Sequence, residues 1–377
     1  MDVKWLYFTA DDYSARIGGW LHVHQTLTHL KALGADIRFA SGTREHIKEL
    51  ACEQWPAPKC GGGKIGRAFI KLWQGLRAAL FALHSRSALY TRGCHPWLTR
   101  WYRLLGRPVI VEFNGSLLRE LKLVGLSTCR VRCRERATLK RASRLVFVSK
   151  TVLDSYEQDY FPLGPRAVVV HNGVEVERFA LVTPERRAEA KRALGLEGKT
   201  VVGFCGNLHP YIDLAPAVET LKLLPESWHL VVVGDGVGRA RLDAAIQKSG
   251  VAARVHVMGK RSRDEVPTLM CAFDVAVGMR RIDTPAFPLK LTEYLACGLP
   301  SVMEEDPGLG GVDFGRVLSH PTAEKLHDDL LALLPDSPEK AWARSEWARE
   351  NLSWRRSAEG VLRVMRSAAS ECYGPPA

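Results

Sequence analysis

The sequence has no run of ~18 uninterrupted apolar residues, so no transmembrane helix is expected. Its start, Met1-Asp-Val-Lys-Trp-Leu-Tyr-Phe8, lacks both a basic leading region and a small-residue cleavage site. It reads as a first strand and not as a signal peptide. Internal repeats and low-complexity tracts are missing as well. Nine cysteines are scattered along the chain, and the one close pair, Cys129 and Cys133, has no second pair or His-x3-His beside it. A zinc site is therefore not expected, and free thiols in a reducing cytosol are. No Asp-x-Asp stands at a strand end, and Asp11-Asp12 lies in a loop, so neither a metal nor another cofactor is expected.

What is present is ordinary for a soluble globular protein: 46% hydrophobic and 25% charged residues. A chain of 377 residues is too long for one ordinary core. The net charge of +12 suits nucleic acid, an anionic membrane surface or phosphorylated substrates.

Short apolar runs alternate with amphipathic segments, the βαβ rhythm of parallel sheets covered by helices. Strands are expected at Trp5–Thr9, Ile37–Ala40, Ala88–Tyr90, Val109–Glu112, Arg144–Val148 and Ala167–His171, with helices such as Trp20–Leu33 and Cys129–Ala142 between them. Further strands are expected at Thr200–Cys205, His229–Val233, Val255–Met258, Val275–Val277 and Pro300–Met303. Ala215–Leu224, Ala240–Lys248, Asp264–Ala272 and Leu289–Cys297 are the clearest intervening helices. The pattern predicts an α/β fold of two doubly wound sheets, with a boundary near Asn172–Glu197 where Pro184 and a charged stretch break the rhythm. The domains expected are 1–175, 176–350 and a crossover helix with a frayed tail at 351–377. A last helix is expected over Ser345–Ser370, with Trp354 as a packing anchor. Such sheets bind ligands at the carboxyl ends of their strands, and two facing sheets predict a cleft.

Three segments carry candidate chemistry. Gly18-Gly19 ends the loop after the first strand and opens a helix, which suits an anion or a plain tight turn. Gly234-Asp-Gly236-Val-Gly238 follows another strand but lacks the spacing of a dinucleotide fingerprint. The segment from Arg280 to Pro300 is richer. Pro285 and Pro288 precede a helix whose first amides, Leu289 and Lys290, are placed for a phosphate, with the Lys290 ammonium added. Glu293 suits two adjacent hydroxyls, as on a ribose; the alternative is a carboxylate that merely complements the helix dipole.

The run Pro288-Leu-Lys-Leu-Thr-Glu-Tyr-Leu-Ala-Cys-Gly-Leu-Pro-Ser-Val302 resembles the nucleotide-binding segment of retaining glycosyltransferases with the GT-B fold, family 4 and its relatives. Gly18-Gly19-Trp20 resembles the first phosphate-facing loop, and Val111-Glu-Phe-Asn-Gly115 the strand end that faces the donor sugar. Val170-His-Asn-Gly-Val-Glu-Val-Glu-Arg-Phe179 is similar to the signature ahead of the second domain. Val231–Gly236 and Val255–Lys260 resemble the strands that flank the nucleotide. The resemblance implies an acceptor domain followed by a donor domain, and transfer of a sugar from a UDP- or GDP-sugar with retention. It implies Lys290, Glu293 and Asn114 as the residues closest to the chemistry. Gly18, Gly19, Asn207, Gly234, Lys260, Arg280, Arg281, Asp283, Phe287 and Leu289 join Lys290 and Glu293 as donor contacts.

Three departures narrow this. The family's Glu-x7-Glu pair would put an acid at 285, where this chain has Pro285; Asp283, Arg280 or Arg281 are the candidate substitutes. The Arg and Lys that clamp the diphosphate are replaced by Asn207 and Ile212, leaving Lys290 with Lys260 or an arginine at 280–281 to supply charge. Asn114 stands where the family often has His, and can hydrogen-bond a sugar hydroxyl but not act as a base. A branch of the family with PLKLxEYLA in place of the double-Glu motif is similar in these respects.

The segment Lys64–His84 is a basic helix bearing aromatics, with Lys64, Arg67, Lys71 and Arg77, and a second basic run spans Arg130–Arg144. Together they predict a cytoplasmic protein held on the anionic inner face of the plasma membrane, where a glycan or lipid-linked acceptor for cell-surface polysaccharide or glycolipid is presented. A nucleic-acid partner is not expected, because no recognised motif is present and the cations are not interleaved with stacking aromatics. A sugar-nucleotide epimerase of the same architecture and a non-catalytic GT-B partner subunit remain as alternatives.

Overall fold

The structure is a computed structural model that describes residues 3–11, 13, 19–43, 47–48, 50, 52–58, 63–84, 86–280, 285–306 and 308–374. The chain divides into two compact units. Unit 1 comprises Met1–Gly173, Pro285–Phe287 and Trp354–Ala377, and unit 2 comprises Val174–Thr284 and Pro288–Ser353.

Unit 1 is built on strands β1 (Lys4–Phe8), β2 (Ile37–Ala40), β3 (Glu53–Trp55), β4 (Ser87–Arg92), β5 (Val109–Phe113), β6 (Arg144–Phe147) and β7 (Ala167–Val169), in the order β3-β2-β1-β4-β5-β6-β7. Every pairing is parallel, with Trp5 opposite Ile37 on one side and Ala88 on the other. Central strands of such a sheet are buried on both faces, which is why they read as continuous apolar runs. The three-residue edge strand β3 was not expected from the sequence, since Glu53-Gln-Trp55 contains no such run and is half exposed. Helices α1 (Trp20–Ala32), α2 (Gly63–Phe81), α3 (Pro96–Leu104), α4 (Leu117–Leu123), α5 (Cys129–Arg141) and α6 (Lys150–Asp159) connect the strands. Ser116 and Ser149 cap α4 and α6 by accepting from backbone amides of the first turn.

Unit 2 repeats the plan. Helix α7 (Pro184–Ala193), capped by Thr183, leads into strands β8 (Thr200–Cys205), β9 (Trp228–Val233), β10 (Val255–Gly259), β11 (Val275–Val277), β12 (Ser301–Met303) and β13 (Gly315–Val317). Their order is β10-β9-β8-β11-β12-β13, again all parallel. Helices α8 (Ala215–Thr220), α9 (Arg239–Ser249), α10 (Val266–Met270), α11 (Leu289–Ala296) and α12 (Ala323–Leu333) cover it. The edge strand β13 carries Arg316 in a three-residue run, so it too lacks an apolar run that would mark it in the sequence.

One expected element is corrected. The helix expected over Ser345–Ser370 is two helices, α13 (Pro338–Asn351) and α14 (Trp354–Tyr373), interrupted at Leu352-Ser353. The break is tertiary in origin: Val174 N–H donates to the Leu352 carbonyl at 2.7 Å, and Ser353 bridges Val174. Helix α14 belongs to unit 1, where Ala358, Val361, Met365 and Ala368 form its apolar stripe and join the core around Trp5, Val23 and Leu27. Trp354 is 2% exposed and meets His22 edge-on at 5.6 Å. Trp354→Ala should therefore lower the unfolding free energy of unit 1 by about 3–5 kcal/mol. Urea unfolding followed by circular dichroism measures it, and a change below ~1 kcal/mol would mean that the tryptophan anchors nothing.

Candidate functional site

In a doubly wound sheet the reversal of strand order leaves a crevice beyond the carboxyl ends of the two strands at the switch. In unit 2 those strands are β8 and β11. The Lys290 side chain lies over this edge. Its ammonium sits 4.0 Å from the centre of the Phe204 ring and donates to the Gly278 carbonyl at 3.2 Å. Lys290 is the second residue of α11, whose N-cap, Pro288, offers no side chain to the first-turn amides. Burial lowers the ammonium's pKa to about 8, against the opposing pull of nearby Glu304. A desolvated lysine beside uncapped amides gains from an anion brought to it.

Around this point are several charges. Glu304, 1% exposed past the end of β12, is pushed up to about 7 by burial, with Lys290 and Arg280 pulling it down. Arg280 is buried and ion-paired with Glu305. Glu293, on the next turn of α11, is 7% exposed and accepts from Arg263 Nη1 at 2.6 Å. Burial raises the Glu293 pKa and Arg263 draws it back.

The other donor contacts named from the sequence are placed as follows. Asn207 is exposed directly after β8, and its carbonyl accepts from His209 N–H. Ile212 is buried in the unit 2 core and pairs its backbone with Arg280, so position 212 points away from solvent and has no room for a cation. Gly234 has a packing role: at φ +142° a Cβ would stand 1.9 Å from the Gly206 carbonyl oxygen. Lys260 is exposed just past β10 and makes none of these contacts. Phe287, also expected as a donor contact, has its ring packed within unit 1. It is 5% exposed and stacks on His171 with ring centres 5.0 Å apart, within unit 1, while neighbouring Ala286 bridges Gly115. Gly18, Arg281 and Asp283 lie outside the described residues. His209, stacked on Tyr211 at 4.9 Å, was not singled out from the sequence. Burial and then the Lys290 charge lower its pKa.

Unit 1 carries its own polar centre at the carboxyl ends of β4 and β5. Gly19 starts α1 against the Arg92 guanidinium, and a Cβ there would lie 2.1 Å from Arg92 Nη1. Arg92 donates to the Tyr13 hydroxyl at 3.0 Å, and Tyr13 in turn donates to Asp11. Glu112, 2% exposed, receives the Asn114 amide at 2.5 Å and the Tyr90 hydroxyl at 2.5 Å, with His22 Nε2 at 2.7 Å. Asn114 is thereby tied to Glu112 through its amide nitrogen. Burial opposes ionisation of Glu112, but His22, Arg92 and Tyr90 outweigh it and hold the carboxyl down at about 2, below its ordinary 4.5. A depressed carboxylate contributes stability that is present above pH 4.5 and is lost as pH falls towards 2. Glu112→Gln should cost about 3 kcal/mol at pH 7, and the difference from wild type should shrink as the pH drops below 4.5. Acid titration of urea midpoints for both proteins checks the sign; a gap that widened in acid would refute it.

Residues 18–178 match the model of the family described as Glycosyltransferase Family 4, and residues 186–350 that of Glycosyl transferases group 1. The chain is 31% identical over 252 residues to a D-inositol 3-phosphate glycosyltransferase of Rhodococcus jostii, an overlap of 62% of this chain and 54% of that protein. The chain thus spans about half the length of the curated relatives it matches. Among solved structures, Anabaena HepE in complex with UDP and glucose superposes with a TM-score of 0.74 at 16% identity, covering 97% of this chain and 100% of that one. A glycosyltransferase from Rickettsia africae gives 0.75 at 16% identity, covering 98% and 99%. At such identity the likeness is one of fold.

Proposed function

We propose, for a chain that belongs to the family 4 glycosyltransferases and carries their GT-B fold, that it moves a sugar from a UDP- or GDP-sugar to a glycan or lipid-linked acceptor. The observation that carries this reading is the desolvated Lys290 ammonium at the start of α11, one turn before Glu293, on the carboxyl edge of the unit 2 sheet. Breaking the bond between the sugar and the diphosphate leaves charge on the diphosphate oxygens. The Leu289 and Lys290 amides and the Lys290 cation stabilise that charge, so the proposed transfer needs no metal. Glu293 accepts from the ribose hydroxyls. Retention of configuration is part of the proposal, supported by the resemblance of Pro288–Val302 to the retaining enzymes of family 4.

Thermal shift with UDP-, GDP- and TDP-sugars tests the donor, because binding to the native state raises its stability. One of them should raise the melting temperature, and Lys290→Met should weaken that nucleotide about 100-fold by calorimetry. Stabilisation by none of them would remove the donor reading. Binding without turnover on any acceptor would favour a non-catalytic partner subunit.

The acceptor side of the proposal is a membrane surface, the inner face of the plasma membrane, for polysaccharide or glycolipid synthesis. Support comes from unit 1, where α2 and α3 pack together and leave an apolar face in the open. On α2 Leu72, Trp73, Leu76 and Leu80 are 70%, 41%, 52% and 54% exposed, and on α3 Trp97 and Leu104 are 52% and 69% exposed. Helix α3 also packs on α5, whose Arg130, Arg132 and Arg136 are exposed, so cations flank the apolar stripe. Arg77 does not share in this; its guanidinium lies 4.7 Å over the Trp55 ring. The Lys64, Arg67 and Lys71 side chains lie outside the described residues. Leu72→Ser with Leu104→Ser, both on open surface, should reduce binding to phosphatidylglycerol vesicles about tenfold at low salt. Undiminished co-sedimentation would count against this face.

A further inference from the structure

We propose that Arg263 is a positioning residue for nucleotide recognition, holding Glu293 so that its carboxylate is presented to the two ribose hydroxyls of the donor. The inference rests on the donor reading of α11 above. Arg263 follows β10 by a short loop and is 30 residues from Glu293 in sequence, yet Nη1 donates to Glu293 Oε1 at 2.6 Å. The other two guanidinium nitrogens are engaged as well. Nε and Nη2 both donate to Glu175 Oε2, at 3.0 and 2.8 Å. The guanidinium carbon lies 4.8 Å from the centre of the Phe179 ring. Glu175 and Phe179 come from one short segment, Val174-Glu-Val-Glu-Arg-Phe179, so a single turn of chain fixes the fork on one edge and one face.

The arrangement matters because Glu293 is 7% exposed. Desolvation favours the protonated carboxyl, in which one oxygen has become a donor and which suits a diol less well. The opposite charge of Arg263 pulls against that effect and favours the ionised form. The bond from Arg263 ends on Oε1, and among the described residues Oε2 accepts none. One carboxylate oxygen is anchored and the other is left for a ligand. The charges that face this group are Glu175, Lys290 and, on Glu175, Arg178, which also pairs with Asp264. A lysine at 263 could supply the charge but not the fork that spans two carboxylates.

Calorimetry with UDP and GDP, each paired with its 2′,3′-dideoxy form, separates positioning from a merely structural ion pair. Arg263→Met should weaken the ribonucleotide that wild type binds by 10–100-fold, and its dideoxy form by less than twofold. Arg263→Lys should recover only a small part of the loss. Equal weakening of both forms, or no weakening of either, overturns the proposal. If Arg263→Met does not fold, Glu175→Gln takes its place. It frees the guanidinium from its holder while leaving Glu293 intact, and it should give a smaller loss that is again confined to the ribonucleotide. Wild type that binds neither UDP nor GDP would sink the nucleotide reading and this inference with it. Ribose-dependent binding undiminished in Arg263→Met sinks the inference alone.

Discussion

A lysine ammonium moved out of water keeps its charge only while something nearby compensates for the lost hydration. At the carboxyl edge of the unit 2 sheet that compensation is incomplete. Lys290 has a ring face, one carbonyl and the electrostatic pull of Glu304, and its pKa still falls to about 8. The groups around it follow from this shortfall. Glu304 is itself desolvated and pushed up to about 7, so it is a poor permanent counter-charge. Arg280, a second cation acting on both, is ion-paired with Glu305. An anion arriving at the start of α11 would supply what the protein leaves missing, and it would meet uncapped amides there as well.

Unit 1 settles the same kind of problem in the opposite way. Its buried charge, Glu112, is surrounded by His22, Tyr90, Asn114 and Arg92, and the carboxylate is held far below its ordinary range. A carboxylate held by this many partners favours stability and order. The contrast fits a division of labour in which a rigid polar knot shapes the carboxyl edge of one sheet, while an unsatisfied cation marks the edge of the other.

Much of the fold was legible in the sequence, because central parallel strands have to be apolar on both faces. The stretches Thr200–Cys205 and Val275–Val277 are strands over those residues. What stayed hidden was set by contacts between distant residues. Ser353, a favoured N-cap type, is the one local sign of the break at Leu352-Ser353, and the bond from Val174 to the Leu352 carbonyl accompanies it. The sequence pointed to Lys290 and Glu293 through a local motif, but not to Arg263 or Glu304, whose relation to α11 exists only once β10 and β12 lie in the sheet. Phe287 belongs to the same motif, yet it packs on His171, because adjacency along a chain does not fix which way a ring turns.

In the proposed donor site, the absence of a basic residue at position 212 agrees with the packing there. Where a basic residue would stand, Ile212 is buried beside Leu208 and Leu214 in the unit 2 core, and its backbone pairs with Arg280. Asp213 N–H donates to the Met279 carbonyl, and the Asp213 carboxylate accepts from Ala215 N–H at the start of α8. The loop after β8 is thus sewn to the loop after β11, and a lysine at 212 would have to bury its charge in the core. A cation cannot be regained at that position without undoing this seam. In the proposed donor site the burden then falls on α11, whose own second residue is the lysine, so the cation and the amides that would donate to a diphosphate belong to one helix.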